Sequence, residues 1–179
     1  MSYYNNMMIL ICGTSGSGKS SYAEDRLSSL PGSKKFYIAT AKIYDDEMRA
    51  RIERHQAMRT NKNFITIEKQ TNLGSVNLYG DSSVLIESLT TWLANEMFDN
   101  DLTGASERIQ NDFHILKAKC KNIILVADDV FSDGIIYDET TEFYIKTLAE
   151  LLIKFASEAD EVIECFAGLT WCYNHKYFC

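Results

Sequence analysis

The residues best suited to chemistry form one short stretch, GTSGSGKS, between residues 13 and 20. It fits the pattern G-x-x-x-x-G-K-[ST], in which backbone N–H groups and a helix N-terminus surround phosphate oxygens. The glycines allow close backbone approach, Lys19 brings positive charge to the β and γ phosphates, and the Ser20 hydroxyl can bind Mg²⁺. Lys19 is thus a catalytic candidate. The nucleotide-binding candidates in this stretch are Gly13, Thr14, Ser15, Gly16, Ser17, Gly18, Lys19 and Ser20.

The neighbouring residues supply the elements that such a loop needs. The apolar run at 7–12 predicts a buried strand before it, and the pattern at 21–27 predicts a helix after it. The plain alternative is a Gly/Ser turn between a strand and a helix. Chance places all the fixed residues together in about one chain in a hundred or fewer, so phosphate binding is the favoured interpretation.

Apolar runs alternate with amphipathic patterns along the rest of the chain. Further strands are predicted at residues 35–40, 64–68, 83–87, 121–127 and 161–166. Further helices are predicted at residues 45–60, 89–98, 104–120 and 138–158. This alternation predicts an α/β fold with a mostly parallel sheet and helices on both faces. No element is assigned to residues 170–179, whose aromatic side chains we expect to seal the core rather than cover a neighbouring subunit.

Polar residues follow several of the predicted strands, where ligands of parallel sheets bind. Thr40, Glu87, Asp128 and Asp129 each come just after an apolar run, so we expect them near the phosphate loop. Glu87 is the candidate that would hold Mg²⁺ together with Ser20, and its plain alternative is a helix-capping or surface carboxylate. The two aspartates could hold a metal ion or cap a loop.

One histidine has basic neighbours on the helix predicted over residues 45–60. Arg51 and Arg59 stand four residues before and after His55, so the three side chains share one helix face. The guanidinium groups would attract a phosphate chain toward the imidazole, which can attack an α-phosphate and release pyrophosphate. His55 is therefore a catalytic candidate, and a surface histidine is its plain alternative. Further nucleotide-binding candidates are Arg51, Arg59, Glu68 and Glu87.

The composition is that of a folded, acidic chain of 179 residues with a formal net charge of -7. This charge disfavours broad adhesion to nucleic acid or to an anionic membrane, and the length fits a single domain over residues 1–179. The five cysteines contain no C-x-x-C pair and predict neither a disulfide framework nor a zinc site, so we expect a cytoplasmic location. No apolar run approaches the roughly 20 residues that span a bilayer, and stable membrane insertion is not expected.

Several segments together resemble the bifunctional adenosylcobinamide kinase/adenosylcobinamide-phosphate guanylyltransferase family of cobalamin biosynthesis. Besides the phosphate loop they are YIAT at 37–40, DDEMRARIERH at 45–55, ESLTTWLANEMF at 87–98 and ADEV at 159–162. They are ordered as in the family over nearly the full length. The resemblance implies a P-loop NTPase-like (RecA-like) fold, binding of GTP, ATP and Mg²⁺, and assembly as a homotrimer.

The resemblance also implies a reaction and a small-molecule partner, the corrinoid adenosylcobinamide. In the family the aminopropanol hydroxyl of cobinamide is phosphorylated, and the new phosphate then attacks an enzyme-bound guanylyl group to give a GDP-linked corrinoid. The family's guanylylated histidine falls on His55 of this chain. Lys19 would aid phosphoryl transfer.

The C-terminal third departs from the family pattern. Residues 128–131 read DDVF where the family usually has asparagine-glutamate-valine-glycine, and Tyr137 replaces an expected proline. Residues 145–153 lack the usual R-D...G..N-Q pattern, and Thr60 stands where a proline usually follows the arginine. Two further interpretations therefore stay open: a P-loop small-molecule kinase with another acceptor, and a catalytically weak nucleotide-binding regulatory protein.

Overall fold

The computed structural model describes residues 7–42, 62–78, 80–131 and 134–175. Its strands are β1 Met7–Gly13, β2 Lys34–Ala39, β3 Ile65–Glu68, β4 Ser82–Glu87, β5 Asn122–Asp128, β6 Glu161–Phe166 and β7 Leu169–His175. Its helices are α1 Lys19–Ser29, α2 Leu89–Asp99, α3 Ala105–Lys119 and α4 Glu139–Glu158, with a short 3-10 helix at Leu73–Ser75. The helix predicted at 45–60 lies outside the described residues.

One seven-stranded sheet runs through the molecule in the order β3-β2-β4-β5-β1-β6-β7. The first six strands are mutually parallel, and β7 pairs antiparallel with β6. Gly13 at the end of β1 lies opposite Asp128 on one neighbour and Cys165 on the other, so the carboxyl ends of these strands share one edge of the sheet. The predicted α/β fold with a mostly parallel sheet is confirmed.

Helices cover both faces of this sheet, as predicted. Alternate residues of the central strands point to opposite faces, so Ile9 and Ile11 pack with Leu27 of α1 on one side. Met8 and Leu10 pack on the other side with the apolar residues of α2, α3 and α4. The central strands therefore read as continuous apolar runs, because each is buried on both faces. No helix in the described ranges has the length and apolar character needed to cross a membrane.

Helix α4 starts close to the edge of the sheet that carries the strand ends. Its first turn is capped by Asp138, whose carboxylate accepts hydrogen bonds from the backbone N–H groups of Thr140 and Thr141. Farther along, Leu148 and Phe155 are completely buried and anchor the helix on the sheet. The capped start and the buried face together fix the position of α4 near the end of β5.

Residues 169–175 form a strand that the sequence analysis did not assign. A turn at Ala167 and Gly168, with φ values of 50° and 79°, brings the chain back along β6. Side chains of a strand point alternately to the two faces of the sheet, and one face of β7 is not covered by the described residues. The expectation that the aromatic side chains of residues 170–179 seal the core is therefore wrong for Trp171 and Tyr173, which are 68% and 64% exposed.

We expect Phe155→Ala to lower the free energy of unfolding by about 3–5 kcal/mol, because the ring is fully buried and its removal leaves a cavity. Its centroid lies 4.5 Å from that of Phe113, which joins α3 to α4. Phe166→Ala is the matched control, since Phe166 is 69% exposed. Urea denaturation measures both variants, and equal losses would contradict the assignment of this core.

Candidate nucleotide-binding site

Residues 13–18 form the turn between β1 and α1, and their glycines are required by its geometry. Gly16 and Gly18 have φ values of 75° and 92°, in the left-handed region that glycine adopts without strain. A Cβ on Gly13 would lie 2.5 Å from the carbonyl oxygen of Cys165, which is too close for any side chain. The turn leads directly into the N-terminus of α1, where the helix dipole favours anions.

The turn between β6 and β7 packs against this loop. The backbone N–H of Gly168 donates to the carbonyl oxygen of Ser17 at 3.0 Å, and a Cβ on Gly18 would meet the Gly168 Cα at 3.5 Å. Nothing in the sequence indicates this contact, because it depends on β6 lying beside β1. The β6–β7 turn thus holds the loop from its outer side.

Lys19 is buried, with 6% of its surface exposed, and its ammonium group has two polar partners. Nζ lies 2.6 Å from Oδ1 of Asp128 and donates to the carbonyl oxygen of Thr14 at 3.2 Å. A buried ammonium group is costly unless it is paired and hydrogen-bonded, and these two partners satisfy that need. The predicted phosphate-binding lysine therefore rests against the strand-end carboxylate of β5.

Ser20 and Glu87, the predicted Mg²⁺ ligands, are brought together. The Ser20 hydroxyl donates to Glu87 Oε1 at 2.6 Å, and Glu87 Oε2 is buried without a hydrogen-bond partner among the described residues. Burial raises the pKa of Glu87 to about 7, while the hydrogen bond from Ser20 and the charge of Lys19 lower it. Hydroxyl and carboxylate oxygens are ligands that Mg²⁺ accepts, so the donor set fits this cation.

Thr40 holds the end of β4 from inside the protein. It is completely buried, and its hydroxyl lies 3.0 Å from the carbonyl oxygens of both Glu87 and Ser88. The same oxygen accepts the backbone N–H of Ser88 at 2.8 Å. Thr40 therefore fixes the backbone that carries Glu87, and its hydroxyl is bonded to that backbone.

The remaining candidates do not join this group in the described structure. Glu68 ends β3, the outermost strand, which lies four strands from β1. At about 4.8 Å per strand the separation is about 19 Å. His55, Arg51 and Arg59 lie outside the described residues.

An open cavity of about 490 Å³ adjoins the loop at Thr14, and we call it the α4 cleft. Two of its walls come from the segment after β5 and from the first turns of α4. The sequence predicts Asp129 near the loop but not α4 beside it, because the path of the chain after β5 follows from tertiary packing. The lining residues are Thr14, Asp129, Val130, Tyr137, Thr141, Tyr144 and Ile145.

Three features together define a P-loop NTPase-like fold. They are a glycine-rich turn after the first strand of a parallel sheet, a lysine at the start of the next helix and carboxylates at the strand ends beside it. A solved structure with a similar fold is the flagellar accessory protein FlaH from Methanocaldococcus jannaschii, with a TM-score of 0.52. It is 14% identical, and the match covers 96% of this chain and 79% of that chain, so the similarity concerns the fold alone.

Sequence comparison identifies the family. Residues 9–172 match the family described as cobinamide kinase / cobinamide phosphate guanyltransferase, and the chain belongs to this family. The bifunctional adenosylcobalamin biosynthesis protein CobU of Salmonella typhimurium is 33% identical over 180 residues, and its namesake in Escherichia coli is 30% identical over 180 residues. Each match covers 91% of this chain and 97% of the relative. The predicted class, a nucleotide-dependent transferase of cobalamin biosynthesis, is confirmed.

Replacing Lys19 tests the phosphate loop. We expect Lys19→Ala to weaken nucleotide binding by roughly 10- to 100-fold, because it removes a charge-assisted contact to phosphate and leaves the Asp128 carboxylate to repel the ligand. Lys146→Ala, an exposed change on α4, is the control. Titration with a fluorescent nucleotide measures both, and equal affinities would refute the role of Lys19.

Replacing Glu87 tests its buried carboxyl group. Because the pKa rises from 4.5 to about 7, the folded protein holds a proton between these pH values that the unfolded chain has released. The contribution of Glu87 to the free energy of unfolding therefore falls as pH rises through this window. We expect nucleotide-free Glu87→Gln to gain stability relative to the wild type from pH 4.5 to 7. Thermal unfolding at several pH values measures this, with Glu150→Gln as an exposed control, and parallel curves for wild type and Glu87→Gln would contradict it.

Proposed function

We propose that this chain phosphorylates the hydroxyl group of adenosylcobinamide and then transfers GMP from GTP to adenosylcobinamide phosphate through a guanylylated His55. The observation that carries the proposal is the group of Lys19, Ser20 and Glu87 at one sheet edge, in a chain whose residues 9–172 match the family. Both relatives have names that describe bifunctional proteins of adenosylcobalamin biosynthesis. We further propose that residues 1–179 act as one cytoplasmic domain in a homotrimer.

The loop and Lys19 serve the phosphoryl step of this proposal. GTP or ATP would bind with its phosphates against the loop and the N-terminus of α1. Lys19 Nζ would leave Asp128 Oδ1, 2.6 Å away in the structure, and contact phosphate oxygens instead. Charge at the transferred group is neutralised in this way, and phosphoryl transfer depends mainly on such neutralisation and on alignment.

Mg²⁺ fits the oxygen pair formed by Ser20 Oγ and Glu87, since one carboxylate oxygen of Glu87 is buried and unpartnered among the described residues. When bound there, the ion would neutralise phosphate charge and help to orient the transferred group. Thr40 supports this role indirectly, because its hydroxyl holds the backbone of residues 87 and 88.

The guanylyl step assigns a covalent role to His55. An imidazole nitrogen would attack the α-phosphorus of GTP, forming a P–N bond and releasing pyrophosphate. A phosphate oxygen of the phosphorylated acceptor would then attack the same phosphorus and free the imidazole. Arg51 and Arg59, which flank His55 on the predicted helix, would hold the triphosphate during the first attack.

Incubation with labelled GTP tests the guanylyl step. We expect acid-labile, base-stable label on the wild-type protein and none on His55→Ala, because a P–N bond to imidazole has that stability pattern. His114→Ala is the matched control, since His114 lies on α3 and contacts Glu158 at 3.1 Å. Mass spectrometry after incubation with GTP and Mg²⁺ gives the mass of the adduct.

The outcomes separate the three interpretations of the sequence. Equal labelling of His55→Ala removes His55 from the mechanism. Phosphoryl transfer without pyrophosphate release from GTP favours a plain small-molecule kinase. Tight nucleotide binding without turnover of any acceptor favours a regulatory nucleotide-binding protein.

A further inference from the structure

The α4 cleft lies at the end of the phosphate loop where the terminal phosphate of a bound nucleotide belongs. Thr14 of the loop forms part of its wall, and the carbonyl oxygen of the same residue binds Lys19 Nζ. Asp129, another wall residue, directly follows Asp128, the ion-pair partner of Lys19. Since a P-loop lysine contacts the β and γ phosphates, a group held in the cleft would face the phosphate that is transferred.

The walls of the cleft combine apolar surface with one available carboxylate. The Tyr144 hydroxyl donates to the carbonyl oxygen of Thr90 at 3.0 Å, and the Thr141 hydroxyl donates to Asp138 at 2.8 Å, so both protons are committed. Asp129 accepts the backbone N–H of Phe131 through Oδ1 at 3.1 Å, and this bond does not use its second carboxylate oxygen, Oδ2. That oxygen can accept a proton or a hydrogen bond from a ligand.

We propose that the α4 cleft binds the hydroxyl-bearing arm of the acceptor and that Asp129 accepts the hydroxyl proton. This inference rests on the proposed function and adds the location of the acceptor and its base. A volume of about 490 Å³ lies within the range of small-molecule sites. Because the cavity is open, the arm enters it and the bulk of the acceptor extends from its open side.

The chemical step balances with these groups alone. The acceptor oxygen forms a bond to the γ-phosphorus, the bond from that phosphorus to the β,γ-bridging oxygen breaks, and the nucleoside diphosphate leaves. The hydroxyl proton passes to the Asp129 carboxylate. Lys19 neutralises charge on the phosphates of the nucleotide, while Asp129 accepts the proton of the acceptor hydroxyl. The two residues therefore act on different reactants.

Filling the cleft tests the location. Ile145→Trp adds bulk to a wall residue, whereas Ile153→Trp makes the same change on α4 at a side chain that is 73% exposed. With adenosylcobinamide as acceptor, we expect Ile145→Trp to raise its KM by roughly tenfold or more. The affinity for nucleotide, measured by fluorescent-nucleotide titration, stays at the wild-type value, and Ile153→Trp has no effect on either quantity.

Removing one charge tests the base. Asp129→Asn keeps an oxygen that can accept the N–H of Phe131, but it cannot take up a proton. We expect its kcat for phosphoryl transfer to fall by roughly 100-fold or more, with nucleotide affinity retained and partial recovery in Asp129→Glu. Formation of the guanylyl adduct gives a second readout. It needs no acceptor, so we expect Asp129→Asn to form the adduct as the wild type does.

The results distinguish this inference from the proposed function. Failure of the wild type to phosphorylate adenosylcobinamide overturns the proposed function and this inference with it. If the wild type phosphorylates adenosylcobinamide, and both Ile145→Trp and Asp129→Asn do so with unchanged KM and kcat, this inference alone is overturned. A KM effect of Ile145→Trp with a kcat effect of Asp129→Asn supports it.

Discussion

The ion pair between Lys19 and Asp128 is the interaction on which the arrangement of the site depends. It joins the helix after β1 to the end of β5, two adjacent strands whose ends lie in register at Gly13 and Asp128. Because the ammonium group is buried, loss of one partner would leave an uncompensated charge, a change that costs about 3–5 kcal/mol in other proteins. In the proposed function, an incoming phosphate would exchange one anionic partner of the lysine for another, so that no vacant cationic pocket is needed before the nucleotide arrives.

Much of this fold follows from local sequence, because the central strands are buried on both faces. Runs such as 7–12 and 121–127 are continuously apolar, and they became β1 and β5 within a residue or two. The order of the strands is not a local property. Glu68 ends a strand as predicted, yet that strand is the outermost one, four strands from β1. β7 was missed because an edge strand with outward aromatic side chains lacks the buried pattern that identified the others.

The site could be predicted where a sequence motif or a general rule for parallel sheets applies, and less well where tertiary packing alone assembles it. The pairing of Ser20 with Glu87 followed from the rule that parallel strands end at one edge. The α4 cleft did not, because it requires the direction that α4 takes over the loop. Asp129, Tyr137 and Ile145, all at positions where the chain departs from the family pattern, line this cleft. Part of the departures therefore lie at the cleft proposed for the acceptor, while the phosphate loop itself fits its pattern at every fixed residue.

The contact between the β6–β7 turn and the phosphate loop gives the molecule an intrinsic optical probe. The chain has two tryptophans: Trp92 is fully buried in the core, and Trp171 is 68% exposed on β7, three residues beyond the glycine that bonds to Ser17. Their emission maxima should differ, since one indole is shielded from water and the other is hydrated. A ligand that displaces the β6–β7 turn through this contact would change the surroundings of Trp171, and the red-shifted component would report that change without an attached dye.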